Sequence, residues 1–172
     1  MSTFTIKSNS YLRNFYSADR SLASKSGRDE ATSNKLSRVD SAALRKGIKA
    51  LENYEFDIDE DDVVPTTKAK FAYEIRAFID SYNNTLESSK KNDNAYIQKA
   101  GQKMSRLTEK YASELENMGM STNSSGYLQI SSTAVSNCNM STFGTLFGKD
   151  SEYLKELKKY AKQINNHVDL YT

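Results

Sequence analysis

The sequence is poor in the residues from which many active sites and disulfide frameworks are built. Its 172 residues include one cysteine, Cys138, one histidine, His167, and seven glycines. A single cysteine excludes a disulfide within the chain, and a single histidine excludes a multi-histidine metal site within one chain. The glycines form none of the phosphate-binding or nucleophile-elbow motifs, such as Gly-x-x-x-x-Gly-Lys. We therefore expect no catalytic residue, no metal site and no bound cofactor or nucleotide.

Long apolar runs are also missing from the sequence. No stretch approaches the roughly 20 apolar residues that a membrane-spanning helix needs. The start of the chain, from Met1 to Lys7, lacks the positive end and apolar stretch of a cleaved secretory signal. The composition, with 37% hydrophobic and 27% charged residues, is typical of a soluble protein. We expect the protein in the cytoplasm, or exported without a cleaved signal peptide.

Two further features contain potential ligands, but neither has the pattern of a binding site. The acidic run from Asp57 to Asp62 offers carboxylates, which Ca²⁺ prefers. A calcium loop that began at Asp57 would place Asp62 where glycine is needed and Lys68 where a bidentate glutamate is needed. His167 lies near the end of a predicted helix, where a partial positive charge suits the helix dipole. We interpret the run as a solvated linker and His167 as a helix-end or packing residue.

Charge is distributed unevenly along the chain, although the net charge is only +2. Residues 1–50 carry ten Lys/Arg against four Asp/Glu, whereas residues 51–65 carry seven acids and no base. Aromatic residues are interleaved with the basic ones, but the charge is too dilute to drive nucleic-acid binding. We expect the basic and acidic segments to attract each other, either within the fold or between copies.

The sequence is rich in helical periodicity. Residues 96–118 place apolar side chains every three or four positions, which predicts a helix of roughly 23 residues with one apolar stripe. A second stripe follows Pro65, which disfavours helical geometry at the preceding residue and so marks a boundary. Because the polar connection 88–94 is short, residues 66–117 predict an antiparallel helical hairpin. Its stripe positions are Phe71, Ile75, Phe78, Ile79, Tyr82, Leu86, Ile97, Ala100, Met104, Leu107, Tyr111, Leu115 and Met118.

The residues before the hairpin predict a separate arm and one helix. Residues 1–39 predict a basic, partly flexible N-terminal arm, with a short helix over 10–23 and a flexible loop over 24–34. Asp40 is a plausible N-cap for a helix over 41–54. We predict that residues 40–172 form a single helical domain.

After the helical hairpin, apolar residues recur at every second position, which is the periodicity of β-strands. Apolar residues two apart, Met118/Met120 and Leu128/Ile130, flank a turn that contains Gly126, which predicts a small β-hairpin over 118–130. Two helical turns follow, the second ending at Gly148, and Asp150 is a plausible cap for a helix over 150–171. The predicted fold class is mainly α: an elongated helical bundle with a long antiparallel helical hairpin, a small β-hairpin and a C-terminal helix.

Three segments from Phe71 onward resemble the C-terminal helical region of the flagellar filament cap protein, the hook-associated protein 2 family. Phe78-Ile-Asp-Ser-Tyr-Asn-Asn84 is similar to a helix segment of the type Phe-Val-x-x-Tyr-Asn, and Leu146-Phe-Gly148 to that family's Leu-Phe-Gly. Between them, Leu115 to Ile130 is similar to a leucine, Gly-Ile and Asp/Asn-x-x-Gly-x-Leu-x-Leu hairpin. The order and spacing of the three segments match. Residues 1–65 match neither the N-terminal segment nor the β-rich head domains of a full cap protein.

The resemblance implies a shortened relative that keeps the helical leg and the hairpin. It implies a non-enzymatic structural or protein-interaction module in a flagellum-like assembly, with protein partners that include further copies of the chain. The alternative class is a cytoplasmic adaptor or export chaperone that binds a partner helix in an apolar groove. Neither class requires nucleic acid, a small-molecule substrate or a membrane span.

Overall fold

The computed structural model describes residues 3–57, 65–137 and 139–169, and this part of the chain is mainly helical with one two-stranded sheet. The predicted fold class is therefore confirmed as a helical bundle with a small β-hairpin and a C-terminal helix. The elements in chain order are α1 (Thr3–Phe15), a short 3₁₀ helix (Arg20–Ala23), α2 (Lys25–Asp29), α3 (Ser33–Glu52), α4 (Pro65–Lys91), α5 (Ala95–Lys110), α6 (Ala112–Asn117), β1 (Met120–Thr122), β2 (Leu128–Ile130), α7 (Ser132–Ser136), α8 (Met140–Phe147) and α9 (Glu152–Asp169).

Helices α3, α4, α5 and α9 form an antiparallel bundle in which α9 closes the ring against α3. Two hydrogen bonds show that neighbouring helices run in opposite directions, because each bond joins the start of one helix to the end of another. Ser37, early in α3, donates a hydrogen bond to the carbonyl of Ser88, late in α4. Thr108, late in α5, contacts the hydroxyl of Tyr153, early in α9. The predicted hairpin of α4 and α5 is thus one half of the bundle, and α3 with α9 is the other.

The bundle core consists of the apolar stripes that the sequence predicts. The stripe residues of α4 are all buried, and in α5 Leu107 lies at the core edge, partly buried. Burial of these stripes against one another stabilises the bundle, since each buried Leu, Ile or Phe contributes about 1.5–3 kcal/mol over exposure. The largest buried side chains of α4, α8 and α9 are Phe71, Phe78, Tyr82, Phe143, Phe147 and Tyr153.

The N-terminal segment packs against the bundle through a second, smaller core. Leu12, Phe15, Tyr16 and Leu22 are buried there against α3 and α4. The predicted boundary at residues 39 and 40 falls inside α3, and the predicted loop over 24–34 includes α2 and the start of α3. The prediction that Asp40 caps this helix is wrong, because the Thr32 hydroxyl accepts the capping hydrogen bond from the Lys35 N–H at 3.2 Å.

Two other helix boundaries differ from the predicted ones. The predicted helix over 96–118 is divided at Tyr111 into α5 and α6, because Tyr111 leaves helical geometry with φ −99° and ψ 20°. The cap of α9 is Ser151 rather than Asp150, since the Ser151 hydroxyl accepts a hydrogen bond from the Leu154 N–H at 3.1 Å. The predicted β-hairpin is confirmed, with Met120 opposite Ile130 and Thr122 opposite Leu128.

No helix in the described ranges combines the length and the apolar composition that a bilayer span requires.

Candidate functional site

The Tyr-Asn pair of the first resembling segment holds the β-hairpin on α4. The side-chain amide of Asn83 donates to the Leu128 carbonyl at 2.9 Å, and its oxygen accepts from the Leu128 N–H at 2.8 Å. The amide thus satisfies the outer edge of β2 as a neighbouring strand would, which removes one unpaired edge from a two-stranded ribbon. A ribbon of two strands is marginal alone. Met120, Leu128 and Ile130 are buried in the bundle core, and the Asn83 hydrogen bonds add a polar contact that fixes the position of β2 on α4.

Neighbouring side chains of α4 hold the turn of the hairpin. The Tyr82 hydroxyl donates to the Gly126 carbonyl at 3.4 Å, and the Lys90 ammonium donates to the Ser125 carbonyl at 2.5 Å. The same ammonium lies 4.6 Å from the ring centre of Tyr127. Burial raises the pKa of Tyr82 to about 12, so its hydroxyl stays protonated as a donor at neutral pH. We call Tyr82, Asn83 and Lys90, with the turn they hold, the hairpin latch.

Gly126 is required at the turn for two reasons. Its φ is +80°, a conformation that residues with a side chain rarely adopt. A Cβ at this position would also collide with the Ser105 hydroxyl of α5. The turn therefore lies between α4 and α5. Gly126 provides both the backbone conformation of the turn and the space that the turn needs beside Ser105.

Replacing Asn83 by leucine should release the hairpin while leaving the bundle folded. The variant removes both hydrogen bonds to Leu128 and leaves that N–H and carbonyl without their side-chain partner. In hydrogen exchange, the Leu128 to Ile130 amides should lose protection, whereas those of Ile97 to Lys110 keep it. The matched control is Asn14→Leu, an exposed position on α1. Unchanged protection at Leu128 in the Asn83 variant would contradict the latch.

A buried polar network connects the N-terminal segment to α3 and α4. Arg28 forms a bidentate ion pair with Asp40, from Nη1 to Oδ1 at 2.6 Å and from Nη2 to Oδ2 at 2.9 Å. The Tyr16 hydroxyl donates to Asp40 at 2.6 Å and accepts from the Asn84 amide at 2.9 Å. Burial, followed by the charge of Asp40, raises the pKa of Tyr16 well above its usual value. All these groups are satisfied by one another, which is typical of a structural network.

A polar cleft of about 460 Å³ adjoins this network between α2 and α4. Arg28, Asp80, Asn84 and Glu87 are among its lining residues. Burial raises the pKa of the half-buried Asp80, and Arg76 lowers it only in part. Glu87 is already paired with Lys91 at 2.6 Å.

Replacing Asp80 by asparagine should raise the melting temperature at pH 7. Because the folded-state pKa of Asp80 lies above its ordinary value of 3.8, the folded protein binds this proton more tightly than the unfolded chain does. Stability therefore falls as the pH rises through the window between the two pKa values, and the neutral amide avoids that loss. Thermal unfolding at pH 3 and pH 7 measures the effect, with the exposed Asp93→Asn as control. An equal difference at both pH values would contradict this prediction.

The residues considered as ligands in the sequence lie apart from one another. His167 stacks on Tyr96, with ring centres 4.8 Å apart, where α9 ends beside the start of α5. Asp57 is exposed, whereas the rest of the acidic run and Cys138 lie outside the described residues, as does the end of the predicted helix over 150–171. Within the described ranges, no three His, Cys, Asp or Glu side chains are grouped so as to hold a metal ion.

The network of Arg28, Asp40 and Tyr16 is the main feature that the sequence patterns did not predict. Its members are separated by 12 and 24 positions along the chain. The one available signal was an aspartate in the middle of an apolar helical stripe, between Val39 and Leu44. A carboxylate at such a position requires a buried partner, because an isolated buried charge is strongly unfavourable.

Comparison of the chain with known proteins gave no match to a family model, to a curated protein or to a solved structure.

Proposed function

We propose that this protein is a non-enzymatic structural module that acts through protein-protein contacts, in an assembly of the filament-cap type. The module consists of a helical bundle that carries a latched β-hairpin. Its partners are other protein chains, among them further copies of itself. The location that we propose for this assembly is a bacterial flagellum. This location is based on the resemblance of the three segments to the cap family.

The observation that carries this proposal is the contact among the three segments that resemble the cap family. Phe78 of the first segment meets Phe147 of the third edge to face, with ring centres 5.6 Å apart. Asn83 of the first segment holds Leu128 of the second. If the three segments belong to one structural unit, as the resemblance implies, we expect them to be in contact in the fold although they lie far apart in the sequence. The contact supports the resemblance as one unit rather than three unrelated short matches.

The surface favours assembly over the alternative role of helix-binding adaptor or export chaperone. A groove that binds a partner helix exposes several large apolar side chains. Among the residues whose side chains the structure describes, Tyr96 is the one large apolar side chain that is exposed, at 62%. The described surface therefore offers polar and charged contacts to a partner rather than an open apolar groove.

Size-exclusion chromatography with light scattering, over a range of protein concentrations, tests the proposal. We expect the mass to rise with concentration above that of the 19.4 kDa chain. The Asn83→Leu variant, measured in parallel, shows whether a latched hairpin is needed for the association. A constant mass of one chain at all concentrations, up to the solubility limit, would overturn the self-assembling module.

A further inference from the structure

Three basic side chains of α5 form a line on its exposed face. Lys99, Lys103 and Arg106 are spaced by four and three residues, so they lie on one side of the helix. All three are exposed, and none forms an ion pair with a described residue. The shallow cleft beside them, of about 310 Å³, is lined by Gln98, Gln102 and these three cations with Ala95, and no carboxylate lines it.

Three of the four lysines of the neighbouring helix α9 form ion pairs with carboxylates. Lys155 pairs with Glu152 at 3.0 Å, Lys159 with Glu156 at 3.2 Å, and Lys158 with Glu52 of α3 at 3.0 Å. Unlike the line on α5, these cations have carboxylates of the same chain as partners. Among the described residues of α5 and α9, most cations without a carboxylate partner are therefore on α5, and Lys162 is the one on α9.

Aromatic rings border the line of cations. Tyr96 is exposed at its N-terminal end and is held by stacking on His167. Tyr160 of α9 lies alongside, with its ring centre 5.8 Å from the Lys103 ammonium. Tyrosine and arginine are enriched at protein interfaces, because they contribute a large contact area with a polar end. We call Tyr96, Lys99, Lys103, Arg106 and Tyr160 the basic strip.

We propose that the basic strip binds the acidic segment, residues 51–65, of a second copy of the chain. The acidic segment carries seven acids and no base, whereas the rest of the chain carries 24 bases and 15 acids, a charge of 24 − 15 = +9. Among the described residues of the acidic segment, Glu55 and Asp57 are exposed. The proposal rests on the proposed function, since it names the contact by which the module associates with itself.

The positions of the strip and of the acidic segment favour contact between copies. Glu52, at the end of α3, pairs with Lys158 near the start of α9, which is the end of the bundle where α5 finishes. Tyr96 and Lys99 lie at the start of α5, and Lys99 is about 17 Å from Lys110 at 1.5 Å per residue. Arg106 and Tyr160 lie nearer the acidic segment, so it is the start of the strip that lies away from the acidic segment of the same chain. Because strip and segment are different surfaces, two copies can exchange both contacts in a two-fold dimer, or each copy can contact the next head to tail in a ring or a filament.

Charge reversal of the strip tests this contact. In sedimentation velocity at 50 mM NaCl, the triple variant Lys99→Glu, Lys103→Glu, Arg106→Glu should associate at least about tenfold more weakly than the wild type, because it repels the acidic segment. Raising the salt to 500 mM should weaken the wild type in the same direction. The matched control is Arg13→Glu, Arg38→Glu, Lys49→Glu, an equal change of charge at exposed positions of the basic residues 1–50, the other surface expected to attract the acidic segment.

A second variant, with reversed charges on the acidic segment, distinguishes the loss of this contact from a loss of folding. The variant Glu55→Lys, Asp57→Lys, Asp59→Lys reverses part of the acidic segment and should also associate weakly alone. Mixed with the reversed strip, it should restore association, because the unaltered strip of one variant binds the unaltered segment of the other and the two altered surfaces also attract each other. Circular dichroism confirms that both variants are helical before they are mixed.

The outcomes separate the two proposals. If the reversed strip associates as strongly as its matched control, or if the mixture restores nothing, the strip is not the contact and this inference is overturned, while the self-assembling module stands. If the wild type stays a single chain at every concentration and salt, the proposed function fails, and this contact fails with it.

Discussion

Replacing Arg28 by alanine should lower the free energy of unfolding by about 3–5 kcal/mol, because it leaves the carboxylate of Asp40 buried without its cation. The Asp40 side chain is fully buried, and Arg28 supplies both of the hydrogen bonds that a bidentate pair requires. Tyr16 would still donate to Asp40, but one neutral hydroxyl does not replace a guanidinium as partner of a desolvated charge.

Urea denaturation at pH 7 measures this loss, and two further variants identify its cause. Arg13→Ala, at an exposed position of α1, should change stability by less than about 0.5 kcal/mol. The double variant Arg28→Ala, Asp40→Ala should lose less than the sum of the two single losses, because removing both partners leaves no uncompensated charge. A loss for Arg28→Ala as small as that of Arg13→Ala would show that Asp40 is hydrated and not desolvated.

The same pair explains why the N-terminal segment is part of the structure. Composition predicts a flexible loop over residues 24–34, because Ser, Lys, Gly, Arg and Asp dominate it and few apolar residues are present. The fold instead uses one of those charges, Arg28, as the partner of a carboxylate in α3. Loop composition is a local property, whereas this contact depends on how α3 lies relative to the N-terminal segment.

Local periodicity predicted the bundle, because an apolar stripe specifies a buried face whichever helix covers it. Phe71, Ile75 and Phe78 are buried as expected, although the partner that covers them could not be read from spacing. The closure of the ring by α9 against α3 depends on contacts across more than a hundred positions, such as that of Lys158 with Glu52. No pattern within one helix indicates such a partner.

Asp40 shows how a local rule gave a wrong result. Aspartate is favoured at helix N-caps, and an apolar periodic run follows it, so the sequence favours a start at residue 41. Thr32, eight residues earlier, is also a residue type favoured at N-caps, and an amphipathic stretch that includes Leu36 and Val39 follows it. The choice between two possible caps is made by the burial of Asp40 beside Arg28, which is a tertiary effect.

The β-hairpin could be predicted, but the hydrogen bonds by which Asn83 holds it could not. Its strand spacing and glycine turn are contained in 13 residues, 118–130, and the structure has the strands there. The latch residue Asn83 lies 45 positions before Leu128. In the helical periodicity around it, Asn83 is one polar residue among several, and only the resembling Tyr-Asn pair distinguishes it from Asn84.

Replacing Phe147 by alanine should lower the free energy of unfolding by about 3–5 kcal/mol, the usual cost of deleting a buried ring. Phe147 is fully buried, and its ring contacts three other rings: Phe78 of α4 at 5.6 Å, Phe143 of α8 at 6.1 Å and Tyr153 of α9 at 6.1 Å between centres. Those rings belong to three helices, so the cavity cannot be closed by moving one side chain alone.

Thermal and urea unfolding of Phe147→Ala should therefore show one of the largest losses of any single substitution in the described core. Phe147→Leu should lose less, because it keeps most of the buried volume, and the exposed Lys149→Ala should lose almost nothing. Since Phe78 precedes the latch residue Asn83 on α4, the hairpin amides should lose protection together with those of α8 in the alanine variant. A melting temperature within error of the Lys149→Ala control would show that α8 is not part of the core, and the contact among the three resembling segments would lose its packing basis.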